Sequence, residues 1–445
     1  MHDVLDLNDV LLDELTQRRE AGFDVSGLEE DVHRALANGS SPTQLENLLC
    51  VVEGAPKRTD WPYEEPSTLA EIKESLPHEP RVAVVRLDEA TLRDRLQAAW
   101  LGRCAGCNLG KPVEGWDRAD LRRYLESADA YPLDDYIPVL EPMPESFELR
   151  SSWPECTRGR IRFMARDDDI DYTILGLHIL ETHGFDFGPE DVAQMWMSHI
   201  PFLATYTAER AAYRNLVYGL PSHEVPVYRN PYREWIGAQI RADMWAYTSP
   251  GNPRTAATLA FQDASLSHVQ NGIYGEMWAA ALIAASFVTP DAHSALQASL
   301  AEVPPRSRLA EALRDVLELS RRGLDWEDAR DALEERYGHY SFVHTINNAA
   351  VVAAALLWGE GDFTRTIGLA VQGGWDTDCN GATAGSAFGA MHGTEALPRH
   401  WIDPLNDLVR SAITGFDNSR ISHLADRTFR CALTGGSPQE GREQL

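Results

Sequence analysis

Two acidic runs hold the residues best suited to chemistry: Asp167-Asp168-Asp169 with Asp171, and Gly373-Gly374-Trp375-Asp376-Thr377-Asp378-Cys379-Asn380. Carboxylates packed this closely repel one another unless a divalent cation or a proton relieves them. Neither run carries a positive residue at its centre. Both therefore read as halves of one hard-metal site. A helix N-cap needs a single Asp, and the first run offers more carboxylates than capping requires. Oxygen donors with no accompanying His or Cys set select Mg2+ or Mn2+ over zinc or copper. Gly373 and Gly374 let backbone approach a ligand, and Trp375 beside the ligands reads either as a sugar wall or as core filling.

Other motifs point nowhere. Gly110-Lys111 has the outline of a phosphate loop, but Ala105 stands where its first glycine belongs and Pro112 replaces the metal-holding hydroxyl residue. Cys104 and Cys107 form a C-x-x-C that reads as redox chemistry, half a zinc site, or small residues on a packed helix face. No second pair completes a zinc set. Neither H-E-x-x-H nor G-x-S-x-G occurs.

The elements that must position the two runs read as helices. From Asp88, Leu92, Leu96, Ala99 and Trp100 recur at helical spacing and lead into Gly102, Gly106 and Gly110, a face that can approach another backbone closely. Further helices are expected over 275–288, 305–323, 325–337, 341–358 and 381–391. Strand-like alternation is confined to Val82 to Leu87, so the fold class expected is all-α. Residues 1–87 read as a helical N-terminal extension broken by prolines, with Thr68 and Glu71 forming a capping box. Residues 88–434 form the catalytic domain in this reading, and 435–445 a flexible polar tail.

Composition narrows the function. Over 445 residues the formal net charge is −28, which disfavours nucleic acid and anionic membrane as partners. No run of about 18 apolar residues occurs, and the start Met1-His2-Asp3 is acidic where a signal peptide would be basic. A cytoplasmic location with six reduced cysteines is expected.

Gly106-Cys107-Asn108-Leu109-Gly110-Lys111-Pro112-Val113-Glu114, the Asp168-Asp169 pair, Leu266-Ser267-His268, and Trp375-Asp376-Thr377-Asp378 leading into Gly385 and Gly389 together resemble the ADP-ribosylglycohydrolase family. The motifs stand in the family's order, and the first 85 or so residues lie outside the resemblance. It implies an all-α fold with two Mg2+ or Mn2+ ions. By position, Asp168 and Asp169 match the family's paired aspartates, and Asp376 and Asp378 its second metal pair. Glu114 matches a glutamate that contacts the site. His268, and less securely Tyr274, fall in the segment beside the ADP-ribose; Asn271, Gly374 and Trp375 are further candidates for substrate contact. The chain departs from the family at three positions: Asp167 and Cys379 each replace a threonine, and Cys107 replaces an aspartate. Asp167 and Cys379 thereby join the metal-ligand candidates.

The activity implied is hydrolysis of an N- or O-glycosidic bond at the anomeric carbon of an ADP-ribosyl group, with Asp169 orienting water and Glu114 as acid, base or gate. The partner is an ADP-ribosylated protein or a small ADP-ribosyl or nucleoside metabolite, such as an NAD-derived compound or O-acyl-ADP-ribose. A non-catalytic ADP-ribose binder is the other class, and retained mutual repulsion among carboxylates argues against it. His268 reads equally as a satisfied buried histidine, and Glu114 as part of a Pro-Val-Glu-Gly surface turn.

Overall fold

Two helices lined by small residues cross backbone to backbone at the centre of the molecule. The first, Glu89–Gly110, is capped by Asp88, whose carboxylate accepts from the Thr91 amide at 3.0 Å. The second is Thr377–His392. They run antiparallel with Gly102 against Gly385, Gly106 against Gly381 and Gly110 against Thr377, while Gly389 meets Ala98. A Cβ at any of these glycines would run into a main-chain carbonyl or carbonyl carbon of the facing helix. Thr377 Oγ1 also donates to the Gly110 carbonyl at 2.8 Å. The crossing brings the end of one helix, where Lys111 and Glu114 follow, beside the start of the other, where Asp376 and Asp378 stand.

This crossing makes a substitution diagnostic by sign. In an ordinary helix Gly→Ala stabilises by about 0.5–1 kcal/mol. Gly106→Ala, whose methyl meets the Gly381 carbonyl, is instead expected to destabilise by about 3 kcal/mol, read as a lower denaturation midpoint at unchanged slope.

The structure, a computed structural model, describes residues 4–77 and 87–435. Among these the chain is all-α, with 21 α-helices and one short antiparallel strand pair, Leu408–Val409 with Ser419–Arg420. The strand-like run from Val82 and the polar tail beyond 435 lie outside the described residues, apart from Leu87. Every residue of the helix Asn271–Ser286 is buried, which is why its sequence shows no polar stripe. This helix begins a turn earlier than its glycine and alanine content suggested. The helix expected over 381–391 likewise begins at Thr377, so Asp378 stands inside its first turn. No helix among the described residues is long and apolar enough to cross a membrane.

The N-terminal helices Leu7–Glu20, Glu29–Ala37 and Pro42–Glu53 share an apolar cluster of Val10, Leu11, Leu15, Val32, Leu45, Leu49 and neighbours. The short helix Leu69–Ser75 follows, with Thr68 accepting from the Glu71 amide. Charge holds this segment to the remainder. Glu14 pairs with Arg233 at 2.6 Å, Gln17 donates to Glu234 at 2.7 Å, and Glu65 pairs with Arg308 at 2.9 Å, all of them buried.

Candidate metal centre

The first acidic run divides its labour once folded. Asp167 is the N-cap of the helix Asp168–His183 in extended backbone (φ −149°), and its carboxylate accepts from the Asp169 amide at 3.0 Å. Asp171 turns away from the centre: Ser411 Oγ and the Ala412 amide donate to it at 2.7 and 2.9 Å, and Arg166 at 2.8 Å. Asp169 is fully buried, whereas Asp168 is half-buried.

The second run is shaped by a strained turn. Gly374 has φ +77°, and a Cβ there would stand 2.9 Å from the Arg118 nitrogen. Trp375 follows at φ +67°, a left-handed conformation that costs a bulky residue about 1–3 kcal/mol and must be held by its surroundings. The Trp375 amide donates to the Trp116 carbonyl at 3.0 Å, and the Gly115 amide donates to the Trp375 carbonyl at 2.9 Å. Arg330 lies 3.9 Å from the indole centroid and donates to the Gly373 carbonyl. The turn bearing Asp376 is thereby stitched to the turn bearing Glu114. Asn348 fixes the helix start, its Oδ1 accepting from the Asp376 amide at 3.2 Å and from Asn380 at 2.8 Å.

Asp169 joins the two runs. Its carboxylate, that of Asp378 and the Cys379 sulfur lie within 4.8 Å of one another, and Cys107, Asp167 and Asp169 form a second trio on the same criterion. Cys107 Sγ stands 3.7 Å from Asp169 Oδ2. Asp376 shares a hydrogen bond with Asp378. Burial, then the charges of Asp167 or Asp378, push Asp168, Asp169 and Asp376 well above the ordinary carboxylate range.

The runs are not left to a cation or protons alone, as their sequence suggested. Lys111 makes an ion pair with Asp167, and burial is outweighed there, so that Asp167 stays below the ordinary carboxylate range. Arg103, fully buried, lies 3.4 Å from Asp169 Oδ1, donates to its carbonyl at 2.8 Å and pairs with Asp243 at 2.7 Å. Because Asp243 shares that guanidinium, the two cations offset only part of the charge of Asp167, Asp168, Asp169, Asp376 and Asp378. Burial and the adjacent carboxylates raise the Cys107 and Cys379 thiols well above their ordinary value. The carboxylates that crowd these thiols make an oxygen donor set suited to a hard divalent cation.

Glu114 stands at the edge, its side chain 34% exposed. Arg150 donates to its carbonyl at 2.8 Å and lies 3.5 Å from its carboxylate. Burial first, then the Asp378 charge, push the Glu114 carboxyl up to about 7.

The residues expected beside the substrate divide. Gly374 and Trp375 adjoin the carboxylates, with Trp375 mostly buried. His268 bonds with Ser267 Oγ at 2.8 Å and stands 4.0 Å from Glu209, within a buried network around Arg241. Desolvation and then Arg241 hold it well below its ordinary pKa, so it is neutral. The Asn271 amide nitrogen donates to Glu65 and Glu234 at 2.8 Å each, and its oxygen accepts from Leu309. Tyr274 donates to the Pro66 carbonyl. These polar groups are committed to the N-terminal segment and the core.

Sequence reasoning missed Arg103, Lys111, Arg150, Arg330 and Asn348 as parts of the site. Arg103 left one signal, a lone arginine amid Gly, Ala and Cys on a helix face otherwise too small to hold it. Lys111 was visible as a remnant of a different motif and within the family's glycine stretch, with no role attached.

A family model described as ADP-ribosylglycohydrolase matches residues 88–437. No curated protein matches the chain. A solved structure titled "ADP-ribosylglycohydrolase-related protein complex" is similar at 19% identity and a TM-score of 0.49, over 77% of this chain and 99% of that one.

Proposed function

This chain belongs to the ADP-ribosylglycohydrolase family, a family of glycosyl hydrolases that act on ADP-ribosylated substrates, and from that premise we propose that it cleaves the N- or O-glycosidic bond at the anomeric carbon of an ADP-ribosyl group with Mg2+ or Mn2+. The observation that carries this reading is Asp169, the one carboxylate common to both ligand trios.

Asp167, Asp168, Asp169, Asp376 and Asp378 would hold the cations, with Cys379 beside them. Bound there, two divalent ions supply Lewis-acid polarisation of sugar hydroxyls and of a water. Asp169, fixed by Arg103, orients the attacking water toward the anomeric carbon. The water oxygen forms the new bond to that carbon as the bond to the leaving nitrogen or oxygen breaks. The water's proton passes to a carboxylate, and the leaving group is protonated. Glu114 is the proton carrier of this reading, since a carboxyl near neutrality can both give and take a proton. Trp375 and Gly374 line the approach. For His268 and Tyr274 the support is family resemblance alone, and Asn271 is a candidate only by its place between them.

Asp167 and Cys379, each standing where the family has threonine, favour a second reading with the same chemistry on a free nucleoside, an NAD-derived metabolite or O-acyl-ADP-ribose. Incubating the full chain with an ADP-ribosylated protein and with a nucleotide panel, with Mg2+, Mn2+ or chelator, tests both by mass spectrometry of the products. Release of free ADP-ribose that stops on chelation supports the proposal. Turnover unaffected by chelation, or no cleavage of any substrate, refutes it.

Glu114→Gln isolates the proton step. The parent is expected to show a limb in kcat/KM at or somewhat below pH 7, because bound cations offset the Asp378 charge that helps raise Glu114. The variant loses that limb and falls about a hundredfold. An unchanged pH profile in the variant removes Glu114 from proton transfer.

A further inference from the structure

One pair of histidines lies outside everything above. His178, on the helix Asp168–His183, and His199, the last residue of the helix Pro189–His199, meet edge to face with ring centroids 4.5 Å apart. Their Nε2 atoms are 3.1 Å from one another, and both rings are half-buried.

The partners of the outer nitrogens bear on what those inner atoms carry. His199 Nδ1 stands 3.3 Å from the Met195 carbonyl, which can only accept, so the proton belongs on Nδ1 and a lone pair on Nε2. His178 Nδ1 faces Thr182 Oγ1 at 3.5 Å, and that hydroxyl spends its own proton on the His178 carbonyl at 2.7 Å. Thr182 Oγ1 is therefore an acceptor for an Nδ1 proton of His178. With both outer protons in place, two lone pairs face each other at 3.1 Å, an arrangement that repels unless something positive lies between. Desolvation and the neighbouring His199 lower the His178 pKa, which opposes an extra proton there.

We propose that His178 and His199 form a two-imidazole site for a borderline transition-metal cation of the Zn2+ class, separate from the carboxylate centre. Two imidazoles on a tetrahedral Zn2+ with bonds of about 2.0–2.1 Å place their nitrogens about 3.3 Å apart, close to the 3.1 Å seen. Among the described residues no third His, Cys, Asp or Glu joins the pair at ligand distance, so water completes the coordination. Imidazole nitrogen favours Zn2+, Cu2+ or Ni2+, while Mg2+ keeps to oxygen. Without metal, a tautomer shift of His178 to Nε2–H gives up only the 3.5 Å contact and fills the gap. Metal binding returns that proton to Nδ1, with no net proton released. A bound ion would clamp together two helices, one of which is capped by Asp167. It would also bear on the segment 411–416, where Thr414 bonds to the His199 carbonyl and Ser411 holds Asp171.

The test titrates Zn2+ by calorimetry into the full chain saturated with Mg2+, comparing the parent with His178→Ala and His199→Gln. A binding event in the parent that weakens at least about tenfold in each variant supports the site. In the parent alone, proton NMR should show two imidazole spin systems shifting with one equivalent of Zn2+, a readout independent of whether the variants fold. Equal Zn2+ binding in parent and both variants, no binding in the parent, or imidazole resonances unmoved by Zn2+ would each overturn it.

Discussion

Asp169→Asn should cut kcat/KM for release of ADP-ribose by at least about a thousandfold, near 4 kcal/mol of transition-state stabilisation, with little change in the folded structure. Asparagine keeps the shape of the side chain and its contact with Arg103, so the fold retains its packing. What goes is the charge of the one carboxylate shared by the two ligand trios. Asp171 cannot replace it, turned as it is to Ser411 and Arg166. Steady-state kinetics against Mn2+ concentration make the decisive measurement: the variant should need more metal and still turn over slowly. If Asp169 and Asp378 act on the same ions, as proposed, Asp169→Asn with Asp378→Asn should lose less than the product of the single losses. A single variant within tenfold of the parent at saturating metal would remove Asp169 from the centre.

The second large effect concerns stability. Arg308→Met is expected to cost about 3–5 kcal/mol at pH 7, since removing one member of a buried ion network leaves its partners uncompensated. Arg308 pairs with Glu65 at 2.9 Å and Glu234 at 2.6 Å, and donates to the Glu20 carbonyl at 3.0 Å. Burial alone would raise Glu234, yet Arg308 and other partners hold it far below the ordinary carboxylate range. A depressed carboxylate contributes stability that is present above its unfolded value and lost as pH falls through its folded value. In the variant Glu234 loses that support and gains from protonation instead. The deficit against the parent should therefore shrink as pH is lowered from 7 toward the unfolded carboxylate value. Glu20 behaves oppositely, pushed up to about 8 by burial and then by the Glu234 charge. Its contribution is present below the unfolded value and is lost as pH rises toward 8. Thermal melts of both proteins across this range give the result, and a deficit that is constant with pH would show that lost packing, not unpaired charge, sets the cost.

Much of the fold was legible because its signals are local. Gly102, Gly106 and Gly110 repeat every fourth residue, and that spacing makes one bare helix face whatever it meets. The alanine-rich stretch could be read as a helix, though its start at Asn271 could not. Gln270, at φ +47°, marks an irregular entry with no motif behind it.

The site was less legible, since charge compensation acts through space. Asp376 and Asp378 announced themselves by crowding, but nothing in the run 373–380 says that Asn348 caps the turn or that Arg330 lies over Trp375. Asn271 stood among the candidates for substrate contact, whereas its amide nitrogen is satisfied by Glu234 and by Glu65, a residue of the N-terminal segment.

By itself the sequence determined two clusters of excess negative charge, an all-α fold and the family, because residue type, spacing and periodicity act over a few positions. Only the tertiary structure decided which carboxylate is central, which is a cap and which is a brace. Asp167, Asp169 and Asp171 are alike on paper, and helical rotation points them at Lys111, at Asp378 and at Ser411. The glycine crossing brings Lys111 and Glu114 to residues more than two hundred positions away, and at such range partners are chosen by packing, not by spacing along the chain.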